Sequence, residues 1–278
     1  MQRTRPGSSV PSVPKAKGVC LPWLRSACGV AVQRAAVRLV RVLTHVLRGA
    51  AVALWRWPSL DRAERLARVQ RWAAGMLRRV GVTLDARGTP AEGGVLLVAN
   101  HVSWLDIVAI HAACPRTRFV SKADVRHWPV LNRLVDAAGT LYLERERRRD
   151  AMRVVHHMGE ALAAGDAVAV FPEGTTGEGV PPLPFHANLL QAAISAGVPV
   201  QPVVLRFSAP GAPFSPAVAY VGDTTLVESL WRVACAERLT AHVRFLPPLA
   251  SAGFERRALA AALRTRIDVA LREDAGAA

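Results

Sequence analysis

The sequence predicts an α/β fold, a layered sheet with flanking helices, preceded by basic amphipathic N-terminal helices. The chain has 278 residues, 51% of them hydrophobic, which is enough to bury a full core. From Val95 onward, apolar runs of strand length alternate with helix-length patterns. Residues 1–80 hold 16 Lys or Arg against two acidic residues, whereas the remainder holds 20 against 19. The basic excess therefore belongs to the N-terminal part and not to the core.

The N-terminal part divides into a tail and a helix. Residues 1–18 combine basic residues with prolines and are predicted to form a disordered basic tail. Residues 19–57 are predicted to form an amphipathic, membrane-associating helix, although no stretch reaches the roughly 18 uncharged residues that cross a bilayer. Its basic residues share a narrow stripe of the helical wheel, at Arg34, Arg38, Arg41, His45, Arg48 and Arg56. A wide apolar face ending in Trp55 and Trp57 is typical of a helix in the membrane interface.

Two other interpretations of this helix stay open. It could dock on its own domain and leave a solvated arginine face, or it could bind nucleic acid. The second is disfavoured because its aromatic residues cluster at one end and no recognised nucleic-acid module is present. We therefore expect membrane lipids, and no nucleic acid, as partners.

Residues 58–278 are predicted to form the α/β domain, because Pro58 ends the first helix. Asp61 and Glu64 form a capping signal for a second helix that runs to about Val80. Strands are predicted at 95–99, 118–121, 139–145, 167–171 and 199–205, and helices at 106–113, 149–164 and 188–196. Pro199 and Pro202 argue against a regular central position for the last strand.

The four cysteines carry little information about function. They form no C-x-x-C pair and no cluster with histidines at zinc-ligand spacing. We expect neither a disulfide framework nor a metal site, and a reducing compartment is the default.

The segment 100–106 carries the strongest chemical signal, with His101 and Asp106 five positions apart after an apolar strand. Side chains at i and i+5 point about 140° apart on a helix, so the two can meet only across a bend. A loop carrying His101 and a helix opening near Asp106 would bring imidazole and carboxylate into contact. Such a pair can take a proton from a hydroxyl group, with the carboxylate orienting the imidazole. This arrangement favours attack by a substrate alcohol.

Three further motifs extend this signal. They are Gly139-x-x-x-x-x-Arg145, Phe171-Pro-Glu-Gly-Thr175 and Val198-Pro199-Val-Gln-Pro202. Together with Asn100-His101-x-x-x-x-Asp106, the set resembles in order and spacing the four motifs of the glycerolipid acyltransferase family, which includes the lysophosphatidic acid acyltransferases. The resemblance covers about residues 60 to 250.

The resemblance implies a role for each motif residue. His101 would be the general base toward the acceptor hydroxyl, and Asp106 its orienting partner. Arg145 would grip an anionic head group, with Lys122 as a second positive charge. Glu173 would accept hydrogen bonds from acceptor hydroxyls, while the Gly174 and Thr175 amides would cradle an anion. Ser103 is interpreted as a helix cap, and the other histidines examined as structural or exposed, at 111, 127, 156, 157 and 242.

The sequence departs from the family pattern at two positions that often carry phosphate contacts. Thr176 follows Glu-Gly-Thr where many members have Arg, and His186 follows Pro184-Phe185 where many have Lys or Arg. A Thr-Thr ending resembles the branch that acylates other lysolipids, such as lyso-ornithine lipid. Phosphate as the acceptor head group is therefore less well supported than the acyl transfer.

The resemblance predicts an enzyme, an O-acyltransferase that moves a fatty acyl group to the free hydroxyl of a lysolipid. The expected donor is acyl-CoA or acyl carrier protein, with no resident cofactor. The leading acceptor is 1-acylglycerol-3-phosphate, which would give phosphatidic acid, and the alternative is lyso-ornithine lipid. A non-catalytic basic membrane-binding protein is the competing class. The expected location is the cytoplasmic face of the inner membrane.

Overall fold

A seven-stranded sheet forms the centre of the protein. A computed structural model describes residues 22–122, 130–143 and 148–276. Side chains are described throughout these ranges except at 22–28, 122, 143 and 148–151. The strands are β1 (Val82–Arg87), β2 (Val95–Ala99), β3 (Thr117–Lys122), β4 (Leu141–Leu143), β5 (Ala167–Val170), β6 (Val200–Ser208) and β7 (Leu239–Phe245). Their order across the sheet is β1-β7-β6-β2-β5-β3-β4. Neighbours are parallel except for the antiparallel pair β6–β7. The predicted tail, residues 1–18, lies outside the described residues.

Helices cover both faces of the sheet, as the sequence predicts. They are α1 (Pro22–Trp55), α2 (Arg62–Val80), α3 (Leu105–Ala113), α4 (Leu131–Ala137), α5 (Arg148–Ala163), α6 (Gln191–Ala196), α7 (Leu226–Cys235) and α8 (Arg256–Gly276). Helices α2, α3 and α7 share one buried apolar cluster with the sheet. Helices α5, α6 and α8 share a second cluster on the opposite face. Strand β2 is buried along its whole length because it contributes to both clusters.

Helix α2 begins and ends where its sequence indicates. The Asp61 side chain accepts from the Glu64 amide at 2.8 Å, and the Glu64 side chain accepts from the Asp61 amide at 3.1 Å, which completes the capping box. Gly81 ends the helix with φ of +92°. A Cβ atom at Gly81 would lie 2.2 Å from Cζ of Arg38, so only glycine fits there.

The prediction that Pro202 keeps the last strand out of the sheet centre is wrong. Strand β6 lies between β7 and β2, and Pro202 pairs with Val98. The antiparallel ladder with β7 begins only at Val203, opposite Phe245. The Pro202 carbonyl accepts from the Leu246 amide, which lies beyond the end of β7. In a strand the nitrogen and the carbonyl of one residue point to the same side, so the Pro202 nitrogen also faces this irregular segment. The missing N–H of proline therefore removes no hydrogen bond from the sheet.

Helix α1 packs part of its basic stripe on the domain: Arg34, Arg38 and His45 are partly buried, whereas Arg41, Arg48 and Arg56 are exposed. Arg38 Nη1 donates to the carbonyls of Ala234 and Ala236 at 2.8 and 2.7 Å, and Arg34 donates to the Cys235 carbonyl at 3.1 Å. Arg34 also pairs with Glu237 at 2.7 Å. Carbonyls at a helix C-terminus lack intrahelical partners and carry partial negative charge, so these arginines cap α7. The sequence interpretation of the stripe as a lipid-facing surface is therefore wrong for Arg34 and Arg38.

The outward face of α1 is apolar. Its large side chains are exposed at Val30, Val32, Val37, Val40, Leu43, Leu47, Leu54 and Trp55. Of the helices in the described ranges, none combines bilayer-spanning length with the apolarity that crossing requires. The helix thus presents apolar side chains outward beside the exposed Arg41 and Arg48, while the protein binds Arg34 and Arg38.

Candidate active site

The site begins where β2 leaves the sheet, at Asn100. The Asn100 side-chain amide donates to the Leu205 carbonyl, and its oxygen accepts from the Leu205 amide, both at 2.8 Å. This buried side chain imitates a backbone pairing to β6, because an amide has both a donor and an acceptor. The chain is therefore anchored one residue before His101 and free to turn out of the sheet.

His101 and Asp106 meet across the predicted bend. His101 Nδ1 lies 2.7 Å from Asp106 Oδ2, which also accepts from the amides of Val102 and Ser103 at 2.6 and 2.9 Å. Asp106 is fully buried in the first turn of α3, where the helix dipole favours a negative charge. Because Nδ1 faces the carboxylate, it carries the ring proton in the neutral imidazole, and Nε2 is left as the proton acceptor.

An aromatic stack fixes the plane of the His101 ring. The ring lies on Phe171, with centroids 3.9 Å apart and planes 10° apart, and Phe119 stacks on Phe171 at 5.8 Å. The His101 side chain remains 18% exposed. The ring therefore has one orientation and one nitrogen available to a substrate. Phe171 lies in the third motif, but its role as the support for His101 was not predicted.

Glu173 joins three loops through its buried carboxylate. Its Oε1 accepts from the His101 amide at 2.8 Å, and its Oε2 accepts from the Leu183 amide at 2.9 Å. Burial raises the pKa of this carboxyl above its ordinary value, and the two amide donors oppose that shift. Because each carboxylate oxygen can accept more than one hydrogen bond, the contact of Glu173 with acceptor hydroxyls stays a prediction beside this structural role.

The residues after Glu173 hold the same loop in place. The Gly174 amide donates to the Phe171 carbonyl at 3.1 Å in a tight turn with φ of +71°, so it is not an open anion cradle as predicted. Thr175 is exposed. Thr176 donates its hydroxyl to the Tyr220 carbonyl, and the Gly177 amide donates to the His101 carbonyl at 2.8 Å. The third motif is thus a support for the His101 loop.

The two predicted cations follow neighbouring strands. Lys122 is the last residue of β3 and pairs with Leu143 of β4, but its side chain lies outside the described part. Arg145, two residues beyond β4, also lies outside the described residues. Since β3, β4 and β5 are parallel, their carboxyl ends share the sheet edge from which Phe171 and Glu173 emerge.

The Ser103 side chain contacts the start of α3. It is fully buried, and its hydroxyl accepts from the Leu105 amide at 3.4 Å. A buried hydroxyl that faces the start of α3 is not placed to carry an acyl group. The predicted cap role is not confirmed, because Trp104 holds the N-cap position of α3 and no side chain caps the helix there.

Comparison with known proteins supports one family. The chain is 35% identical over 244 residues to a lyso-ornithine lipid O-acyltransferase of Pseudomonas aeruginosa, a match that covers 86% of this chain and 93% of that protein. It is 38% identical over 175 residues to a 1-acyl-sn-glycerol-3-phosphate acyltransferase of Neisseria meningitidis, covering 62% and 68%.

The fold has a solved counterpart. The crystal structure of the 1-acyl-sn-glycerophosphate acyltransferase from Thermotoga maritima superimposes with a TM-score of 0.62 at 20% identity, covering 85% of this chain and 97% of that one. The layered α/β sheet predicted from the sequence is confirmed. A family model described as Acyltransferase matches residues 82–206, the range that holds all four motifs. The chain belongs to the acyltransferase family.

Proposed function

We propose that the protein is an O-acyltransferase that esterifies the free hydroxyl of a lysolipid. The observation that carries this proposal is the His101–Asp106 pair, oriented by Phe171 and held by Glu173. Relatives named as lysolipid acyltransferases support the same activity. Correctly positioned proton transfer contributes about 10²–10⁴ in rate.

The geometry indicates how the reaction proceeds. His101 Nε2 removes the proton of the acceptor hydroxyl while that oxygen attacks the thioester carbonyl carbon. Asp106 stabilises the imidazolium that forms. The carbon–sulfur bond of the tetrahedral intermediate then breaks, and the imidazolium returns the proton to the leaving thiolate. The products are an ester and a free thiol, and no enzyme nucleophile is needed.

An apolar cleft near the site is suited to a fatty acyl chain. The cleft, about 290 Å³, lies between α1, α2 and α4 and includes Val52, Trp72 and Leu134. His111 also lines it and makes an edge contact with Phe119, at 4.9 Å between centroids. Phe119 and Phe171 therefore connect the cleft to the His101 ring. The donor is proposed to be acyl-CoA or acyl carrier protein, with no resident cofactor.

We also propose that the enzyme works at a membrane surface, on the cytoplasmic face of the inner membrane. The exposed apolar face of α1 supports this proposal, since a single-chain lipid acceptor resides in a bilayer. The attachment is proposed to depend on this apolar face more than on Arg34 and Arg38, which are bound to α7.

Two acceptors compete. The leading one from the sequence is 1-acylglycerol-3-phosphate, whose phosphate would be held by Arg145 and Lys122. Lyso-ornithine lipid is the second candidate, because Thr176 offers no charge and turns its hydroxyl to the Tyr220 carbonyl. The relative that covers most of this chain among those compared is also named for that acceptor.

The test is thiol release from acyl-CoA and from acyl carrier protein by the purified chain, with each lysolipid supplied in mixed micelles. Release that depends on a lysolipid, with the acylated lipid identified by mass spectrometry, is the expected result. Lipid binding without thiol release from either donor would contradict the proposal and favour a non-catalytic membrane-binding protein.

A further inference from the structure

A second cleft, distinct from the apolar one, lies between helix α8 and the loop that follows the third motif. It measures about 500 Å³ and is lined on one side by Phe185, His186 and Asn188 and on the other by Arg256, Arg257 and Arg264. Two alanines on α8, Ala260 and Ala261, leave its floor open. No acidic side chain is among the described residues that line it, and the nearest in sequence is the exposed Glu255.

The positive charges of Arg256 and Arg257 lie close to each other at the start of α8, where an anion would stabilise them. Arg256 and Arg257 are the first two residues of a 21-residue helix whose first turn has no acidic residue. The N-terminus of a helix carries partial positive charge, so cations there cost free energy. Both arginines are exposed, and neither forms an ion pair with any described residue. Glu255 directly precedes them, with its carbonyl accepting from the Leu259 amide, and the two guanidinium groups beside this helix N-terminus offer hydrogen-bond donors to a phosphate.

The cleft is connected to the catalytic loop. Arg264 Nε donates to the carbonyls of Pro182 and Leu183, both at 3.1 Å, and the Leu183 amide donates to Glu173. His186 donates its amide to the Pro172 carbonyl at 2.8 Å, and its ring lies 3.5 Å from where a Cβ of Gly174 would be. The segment that lines the cleft therefore also contacts the loop that holds His101.

We infer that this cleft binds the phosphates of a nucleotide thioester, so that the acyl donor is an acyl-CoA whose 3′-phosphoadenosine diphosphate lies against Arg256 and Arg257. The inference deepens the proposed acyl transfer and rests on it. The donor fits better than the lysolipid because it carries several phosphates on a long arm, whereas the acceptor phosphate is assigned to the other edge of the site, near β3 and β4. Phe185 and the alanine floor offer apolar surface to a base.

The kinetic test compares three donors in the full-length chain: octanoyl-CoA, octanoyl-dephospho-CoA and octanoyl-pantetheine. For R256A/R257A we expect the KM for octanoyl-CoA to rise about tenfold, as loss of two charge-assisted contacts predicts, with kcat nearly unchanged. The KM for octanoyl-pantetheine should not change, because it has no phosphate. The matched control is R266A, which removes an exposed arginine from the same helix outside the cleft.

A binding test does not depend on turnover. Adenosine 3′,5′-bisphosphate should bind the wild type in calorimetry, compete with octanoyl-CoA, and bind R256A/R257A at least about fivefold more weakly. Equal binding to both proteins, or a KM change for the lysolipid in place of the donor, would overturn the inference. Wild-type turnover with acyl carrier protein but not with acyl-CoA would overturn it and leave the proposed function standing. No turnover with any donor would count against the proposed function itself.

Discussion

At the residue scale, one carboxylate oxygen organises the catalytic loop. Asp106 Oδ2 accepts from His101 Nδ1 and from two successive amides, so the group that orients the imidazole also shapes the loop that carries it. Glu173 plays the corresponding role from the other side, since it accepts from the His101 amide. The position of the base is therefore set by two buried acids, which leave Nε2 of His101 to meet the substrate.

Replacement of His101 by Ala should reduce kcat by about 10²–10⁴ or more, because the proton acceptor is lost. Folding should be largely preserved, since the Val102 and Ser103 amides keep their acceptor on Asp106. The measurement is lysolipid-dependent thiol release beside a thermal unfolding curve. His156→Ala, an exposed histidine on α5, is the control. Near-normal turnover of His101→Ala would end the general-base assignment.

The Asp106→Asn variant removes the negative charge of the carboxylate and keeps the shape of the side chain. An asparagine oxygen can keep the two amide bonds, and its NH₂ group can occupy the position of Oδ1, which has no hydrogen-bond partner among the described residues. Stability should therefore change by less than about 2 kcal/mol. Activity should still fall by at least about 10²-fold, because no negative charge stabilises the imidazolium. If activity fell only in proportion to lost stability, the carboxylate would be structural.

At the scale of elements, helix α1 has the opposite orientation to that of a helix held on lipid by its cations. Arg34 and Arg38 cap α7, Arg41 and Arg48 remain exposed, and the apolar side faces outward. Helix α3 contributes differently to function: it begins with catalytic Asp106 and carries the buried His111 at its other end. Arg34 and Arg38 thus fix how α1 docks on the domain, and Asp106 lets α3 orient His101.

The double variant Leu43→Glu with Leu47→Glu should weaken binding to anionic vesicles at least about tenfold, because two exposed apolar side chains no longer enter the interface. Stability should change little, as both side chains already face outward. Vesicle co-sedimentation provides the measurement, and Arg41→Gln, an exposed change on the same helix, is the control. If Arg41→Gln weakened binding as much as the double variant, cation–phosphate attraction would be the main force.

His111 should make the protein sensitive to acid. Burial lowers the pKa of His111 from 6.5 to about 4, so between these values the unfolded chain binds a proton that the folded chain does not. Stability is therefore complete above pH 6.5 and is lost as pH falls toward 4, by up to about 3 kcal/mol. His111→Gln should remove this part of the pH dependence in urea unfolding at pH 7 and pH 5. An unchanged pH dependence in the variant would show that other groups cause it.

At the scale of the whole molecule, two proposed binding regions lie along different segments that lead to the loop of His101. The strands β3 and β4 lead to the predicted acceptor cations, and the loop after Glu173 leads to the α8 cleft. Thr176 lies between Glu173 and Gly177, where its hydroxyl donates to the Tyr220 carbonyl. Thr176 therefore supports the loop, and its proposed influence on acceptor choice can be tested by substitution.

Thr176→Arg should raise kcat/KM for 1-acylglycerol-3-phosphate relative to lyso-ornithine lipid by about tenfold, since a guanidinium pairs bidentately with phosphate. Thr176→Val is the matched control, because it removes the bond to Tyr220 without adding charge. Both acceptors are assayed with both variants and the wild type. A wild type that clearly prefers lyso-ornithine lipid would remove 1-acylglycerol-3-phosphate from its leading place.

The sequence by itself determined the parts that depend on neighbours along the chain. The capping box of α2, the strand before Asn100 and the bend that joins His101 to Asp106 were all predictable, because periodicity, caps and short spacings act locally. The four motifs also identified the family, since their order survives without knowledge of their contacts.

Only the tertiary structure decided the contacts between distant segments. The carbonyls at the end of α7 hold Arg34 and Arg38 of α1 against the domain, and the end of β7 lets Pro202 lie in a central strand. The amides of His101 and Leu183 give Glu173 a loop-supporting role that the sequence did not predict. In each case the deciding partner is a backbone group from a different part of the chain, and backbone groups leave no mark in the sequence.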